Sequence, residues 1–523
     1  MPALEPTERA GNGRAHPSPP VRAARDPAAA PNGHRALFVT SEMADFVKAG
    51  GLGEVSAALP RSLRRRLDVR VLIPGYREVL ARGGPIAVVG RLPALGEIPT
   101  CEIGRLETAD GLIVHALLCP ALYDREGSPY GDAHGVDWRD NDLRFARLGL
   151  AAAAFARGLA DPGWQPDILH LNDWPTALAP AYLAWSGTPV PSVLTIHNLA
   201  YQGLFARERA GSLGIPDHAF RIDGVEFHGK LSFLKAGLFY ASHLTTVSPT
   251  YAEEILRPEF GCGLEGLLRT RAAEGRLSGI LNGIDESWDP RTDRHLAGRF
   301  GVDDWRGKQA NAEHVRRAHG MSDSAGPLFA IVSRLVHQKG VDLAAAAAEA
   351  IVEQGGQLVV TGRGESRPEA ALQDVAHRHP GAVAVRIGFD ETEARRTYAG
   401  SDFLLMPSRF EPCGLSQMYA QRFGSLPVAH RTGGLADTIE DGITGFLFGE
   451  CSLSALTAAI ARAFAAFRSR ERLDAMRRAA MTRPRGWEEA ASAYEGVCAR
   501  LHAAARRSTL VRTLAGHTPR EAR

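Results

Sequence analysis

The chain is 523 residues long, more than one hydrophobic core of ordinary size absorbs, so two domains are expected. Its 61 Lys and Arg are balanced by 59 Asp and Glu, which leaves no global field to recruit nucleic acid or an acidic membrane. The six cysteines are scattered without a C-x-x-C pair, which suggests neither a zinc knuckle nor a disulfide framework and fits a reducing cytoplasm.

Residues 1–33 are rich in Pro, Ala, Gly and Arg, lack an apolar stretch and carry Glu5, Glu8 and Asp26, so they read as a disordered leader rather than a signal or transit peptide. No uncharged apolar run is long enough to span a bilayer. From residue 34 the pattern is strand, loop, helix. Short apolar runs at 36–40, 69–73, 168–171, 191–196 and 244–247 fill the first half, and runs at 328–332, 357–360, 382–387, 403–406 and 427–429 fill the second. Two parallel sheets covered by helices are expected: an α/β chain with one domain over 34–275 and another over 276–487. The stretch 506–523 is basic and reads as a loose tail.

Ligands of open α/β sheets bind at the carboxyl ends of strands, and four stretches there carry candidate chemistry. Lys48-Ala49-Gly50-Gly51 leads into a helix with Val55, Ala58, Leu59 and Leu63 on one face. Paired glycines let backbone N–H groups approach a phosphate or sugar oxygen and the lysine adds charge, although a flexible connector has the same composition. His197 sits where an apolar strand gives way to a polar loop, as a catalyst or as a satisfied structural histidine. Arg334 and Lys339 follow the strand at 328–332 and could neutralise a diphosphate without metal, or form an ordinary basic loop. Last, Ser408 to Ser416 links the strand at 403–406 to a helical run, with Glu411 as acceptor for sugar hydroxyls and the Cys413, Gly414 and Leu415 amides as donors. Nothing in the sequence pairs Cys413 with a base, so a packed thiol is the better reading. Phe389, ending another strand, either stacks on a nucleobase or joins the core.

Two motifs fail their context. Gly261-Cys262-Gly263-Leu264-Glu265-Gly266 matches G-x-G-x-x-G but follows no strand. Asp140-Asn141-Asp142 resembles a D-x-D metal motif but precedes a helical run at 143–155, where acidic residues cap. With no H-E-x-x-H either, no metal site is expected.

Together, Lys48-Ala49-Gly50-Gly51-Leu52, Thr195-Ile196-His197-Asn198-Leu199-Ala200-Tyr201-Gln202-Gly203, Gly279-Ile280-Leu281-Asn282-Gly283-Ile284-Asp285, Ser333-Arg334-Leu335 with Gln338-Lys339-Gly340, and Pro407 to Leu415 resemble the bacterial glycogen synthase and plant starch synthase family, in the family's order. The resemblance runs from about Ala36 to Leu501. It implies two Rossmann-like domains facing a deep cleft, the GT-B type of glycosyltransferase, with a helix over 488–505 crossing back to the first domain. It implies retaining, metal-independent transfer of glucose from ADP-glucose to an α-1,4-glucan in the cytoplasm, without pyridoxal phosphate. By motif, Lys48, Gly50 and Gly51 touch the donor phosphate, Arg334 and Lys339 hold the diphosphate, and Asn282, His197 and Glu411 contact the glucosyl unit. Phe389 falls against adenine, while Tyr130, Asp137, Asp173 and Trp174 resemble cleft-lining positions. The family commonly has Asp where Glu54 stands. A glucan phosphorylase would need a lysine for pyridoxal phosphate, for which there is no matching motif. A non-enzymatic sugar-nucleotide or glucan-binding protein would be favoured by loss of the cleft charges, yet Lys48, Arg334, Lys339 and Glu411 all stand.

Overall fold

The computed structural model describes residues 33–483 and 486–515, with side chains as far as Arg507. The expected leader, apart from Gly33, lies outside the described residues, as do residues 516–523 of the expected tail.

The first sheet has nine strands, in the order Leu277–Gly279, His243–Thr246, Ser192–Ile196, Ile168–Asn172, Arg35–Val39, Asp68–Pro74, Ile113–Leu118, Cys101–Glu107 and Ala87–Leu92. Its central strands are buried on both faces, which is why they read as unbroken apolar runs. The sheet is not wholly parallel as expected: Ile113–Leu118, Cys101–Glu107 and Ala87–Leu92 pair antiparallel at one edge. That edge is half exposed, with Gly90 and Arg91 interrupting its last strand, so no continuous apolar run announces it. A small antiparallel sheet of Leu204–Ala206, Lys230–Ser232 and Glu226–Phe227 lies beyond the His197 loop.

The second sheet is parallel throughout, in the order Val383–Ile387, Gln357–Gly362, Leu328–Val332, Phe403–Met406, Leu426–His430 and Phe446–Phe448. Alternation splits its strands between two cores: Phe329, Ile331 and Leu405 face one, and Leu328, Ala330 and Leu404 the other.

Three expectations need correction. The seam falls after Gly279, not at 275, because the short polar strand Leu277–Gly279 pairs with His243–Thr246 in the first sheet. Gly279 is pressed onto the Ser248–Pro249 backbone, where a Cβ would lie 2.4 Å from Ser248 O. The basic tail is helical through Ala515, since Glu488–Ala515 is one helix and Ala503, Ala504, Ala505, Arg506 and Arg507 are strong helix formers. Finally, Asp140 does not cap its helix: its carboxylate is paired with Arg125 (2.6 Å), and Asp142 meets Arg209 and the Leu143 amide.

The chain passes between domains twice, at 280–284 and again just before Trp487. The two passages touch backbone to backbone at Gly283, where a Cβ would lie 2.6–2.7 Å from Gly486 and Trp487 main-chain atoms. Beyond them the helix Glu488–Ala515 returns to the first sheet. Ala491, Tyr494, Val497 and Cys498 join that core, Tyr494 Oη lies 3.3 Å from Thr195 Oγ1, and Arg66 pairs with Glu495 at 2.6 Å.

Candidate active site

On the second-domain side the strands Leu328–Val332 and Phe403–Met406 are neighbours, so the loops leaving their carboxyl ends must meet. They are laced together. The Arg409 amide donates to Gln338 O (2.9 Å), Gln338 Nε2 to Phe410 O (3.2 Å), and Arg409 pairs with Asp342 at 2.7 Å. Gly340, at φ +65°, lets the first loop press against the second, since a Cβ there would lie 1.9 Å from Pro407 O. This sets Lys339 Nζ 2.6 Å from Glu411 Oε2, and Ser408 Oγ donates to the same oxygen at 3.1 Å. Glu411 is only 4% exposed. Beyond it, Gly414 turns the chain at φ +71°, Gln417 Nε2 donates to Cys413 O and Gly414 O (both 3.0 Å), and Leu415 leads into the helix Ser416–Arg422. Cys413 is buried in the core, as the packed-thiol reading expects.

On the first-domain side, His197 follows the strand Ser192–Ile196. Its Nε2–H donates to Asn172 Oδ1 (2.9 Å), because the Asn172 amide nitrogen is itself donating to Val39 O. Burial pushes the imidazole down to about 3, so the ring is neutral at physiological pH and its Nδ1 is left as an acceptor. The His197 amide donates to Asp173 Oδ1 at 2.7 Å. Asp173 holds a strained φ of +55°, and burial raises its carboxyl to about 7 against the opposing amides of His197 and Asn198.

The Lys48 loop departs from expectation. Ala49 and Gly50 do not present their amides to a ligand. Both donate to Glu42 Oε2, at 2.7 and 2.9 Å, because this buried carboxylate directly after the first strand collects the nearest donors. Glu42 Oε1 accepts from Tyr130 Oη at 2.6 Å, and Tyr130 Oη also meets Ser41 Oγ at 2.9 Å. Gly51 opens the helix Gly51–Leu63, and Lys48 is paired with Glu54.

Three of the contacts between the domains lie among the candidate site residues. Lys48 Nζ lies 5.5 Å from the centre of the Phe389 ring, Arg334 donates to Tyr201 Oη at 3.1 Å, and a Cβ on Gly51 would sit 3.8 Å from Leu415 Cδ1. Phe389 is 70% exposed, so it does not join the core. Asn282, in the first passage between domains, is buried with Oδ1 lacking a hydrogen-bond partner. Trp174 is half-buried against Phe145 and Phe205 and braces the His197 loop at Gly203. Asp137 is exposed on a hairpin bridging to Gly131, outside this network. Sequence reasoning gave no role to Glu42, Asn172 or Tyr201, although Tyr201 lies within the quoted His197 stretch and Asn172 directly precedes Asp173. Among the described residues no group of three His, Cys, Asp or Glu side chains is placed to hold a metal ion, and no helix is long and apolar enough to cross a membrane.

Residues 35–270 match the family model described as starch synthase catalytic domain, and 326–466 that of glycosyl transferases group 1. Glycogen synthase of Pseudomonas putida is 58% identical over 464 residues, 89% of each chain. Glycogen synthase 1 of Bradyrhizobium diazoefficiens is 58% identical over 88% of this chain and all of its own. Among solved structures, the catalytic domain of starch synthase IV from Arabidopsis thaliana, bound to ADP and acarbose, superposes with a TM-score of 0.79 at 30% identity, covering 90% of this chain and 99% of that one. With two facing α/β domains and this identity over nearly its whole length, the chain belongs to the glycogen synthase and starch synthase family of GT-B glycosyltransferases.

Proposed function

We propose that this chain transfers glucose from ADP-glucose to the non-reducing end of an α-1,4-glucan, with retention of configuration. The observation that carries the reading is the Lys339–Glu411 pair at adjoining strand ends, with Arg334 across from Tyr201. Breaking the bond from glucosyl C1 to the diphosphate builds negative charge on the leaving oxygen and positive character on the sugar. Arg334 and Lys339 stabilise the first. Glu411, His197 Nδ1 and the unpartnered Asn282 Oδ1 are acceptors for sugar hydroxyls, fixing the ring for reaction. Phe389 offers an exposed face to adenine, and Lys48 lies close enough to that ring to reach the adjoining phosphates.

Glu411 already carries Lys339 and Ser408 on one oxygen, which suits a hydroxyl ligand better than a nucleophile. The acceptor hydroxyl therefore attacks on the face the diphosphate leaves, and the departing phosphate takes its proton. A trapped covalent glucosyl-enzyme would overturn this step. Since two side-chain cations supply the charge, neither metal nor pyridoxal phosphate is required. The scattered cysteines, with no C-x-x-C pair, fit a place in the reducing cytoplasm.

The test is glucose incorporation into glycogen in the presence of EDTA, comparing ADP-glucose with UDP-glucose. Transfer from ADP-glucose is expected. Transfer from UDP-glucose alone would overturn the donor, and transfer from neither, by folded protein that binds ADP-glucose, would favour a binding protein.

A further inference from the structure

The short helix Pro249–Glu254 belongs to the first domain but grips the second at three places. Ser248, its N-cap, accepts the Tyr251 amide and donates Oγ to Pro412 O at 2.6 Å. Thr250 places its amide and hydroxyl on the two carboxylate oxygens of Asp437, at 3.0 and 2.7 Å. Glu254 Oε1 accepts from Thr432 Oγ1 (2.9 Å) and the Gly433 amide (3.0 Å).

What Glu254 holds is the backing of Glu411. The Gly434 amide donates to Glu411 O at 3.0 Å, and Gly433, at φ +41°, packs so closely that a Cβ would lie 2.0 Å from the same oxygen. From the same helix Tyr251 reaches the His197 loop, where the Leu199 amide donates to Tyr251 Oη at 3.1 Å. One helix turn therefore connects the loop of His197 to the turn of Glu411.

Glu254 is 4% exposed, meets only neutral donors on one oxygen, and has no hydrogen-bond partner on Oε2. Such a carboxylate is a poor device for stability, because burying its charge costs more than two neutral hydrogen bonds return. It is a good device for position, since its acceptor geometry fixes the Thr432–Gly433 step.

We propose that Glu254 is a positioning residue, and that the Pro249–Glu254 helix sets Glu411 in register with His197 when the domains face each other. The kinetic consequence rests on the reading that Glu411 contacts the transferred glucosyl unit. A displacement of about 1 Å at such a group costs roughly 100-fold in rate. Glu254→Ala is therefore expected to lower kcat by about 30-fold while KM for ADP-glucose changes less than about 3-fold. Glu254→Gln keeps the Oε1 acceptor and should restore kcat to within about 3-fold of the parent. Thr432→Val should lower kcat in the parent but add nothing to Glu254→Ala, as two partners of one contact do.

Hydrogen exchange supplies an arm that needs no turnover. Glu254→Ala should speed exchange in peptides covering both 196–203 and 408–416, and Glu254→Gln should not. Faster exchange with an inactive parent would keep the positioning role and sink the functional reading. Unchanged exchange in both peptides, a Glu254→Ala kcat equal to the parent's, or a loss that Glu254→Gln fails to rescue would overturn the proposal.

Discussion

Lys339 and Glu411 share a contact of 2.6 Å in a largely buried site, so under the proposed function deleting the lysine removes a cation from the leaving group and leaves Ser408 alone on that carboxylate oxygen. Charge on the diphosphate develops in the transition state, which places the loss in turnover. For Lys339→Ala we expect kcat to fall by about 100-fold or more, with KM for ADP-glucose changed far less, measured by glucose incorporation. Lys48 is in a different situation. Under the proposed function its partly exposed Glu54 partner competes with the donor phosphate, and such pairs are worth about 0.2–1 kcal/mol. Glu54→Gln should accordingly lower KM for ADP-glucose by about 2- to 5-fold and leave kcat in place. Asp173 makes a prediction with a definite sign. Burial raises its carboxyl to about 7, so the folded chain keeps a proton that the unfolded chain releases near pH 4. The stability this contributes is complete below pH 4 and is lost as pH rises through 7. Asp173→Asn should melt higher than the parent above pH 7, with the gain vanishing below pH 4; a melting difference independent of pH would reject the assignment.

At the scale of elements, the site depends on two loops from neighbouring strands being held together, and Gly340 is where they touch. Alanine there must accept a φ of +65° and a Cβ 1.9 Å from a carbonyl oxygen. Gly340→Ala should destabilise the second domain by more than about 1 kcal/mol and lower kcat, because Lys339 is the preceding residue. Thermal melts and single-turnover rates check the two effects separately. The strands before these loops were legible because burial on both faces leaves them as plain apolar runs, and Phe403–Met406 falls where the sequence placed it. The family motifs likewise singled out Lys339 and Glu411, which the fold sets 2.6 Å apart. The half-exposed antiparallel edge, whose strands alternate with Gly and Arg, was not legible. Nor was the true state of the Lys48 loop: glycines advertise backbone donors, but whether those donors are free depends on Glu42, six residues before Lys48, and on nothing local to Gly50. Glu254 escaped for the same reason, since its partners Thr432 and Gly433 come from the other domain.

For the whole molecule, Lys48, His197 and Tyr201 stand on one domain and Arg334, Lys339, Phe389 and Glu411 on the other, so the site as proposed is complete only when both face inward. Small-angle scattering should show a smaller radius of gyration with ADP-glucose and maltodextrin than without; no change would argue against closure as part of the cycle. The returning helix Glu488–Ala515 has a further consequence, for how the chain is made. The first domain is discontinuous in sequence: the groove filled by Ala491, Tyr494 and Val497 is laid down before residue 280, yet its filling emerges only after the entire second domain. At about 5–20 residues per second, a ribosome needs roughly 10–40 s to cross those roughly 200 residues. Throughout that interval the nascent first domain carries an open apolar groove, which is closed by a helix made only after the second domain.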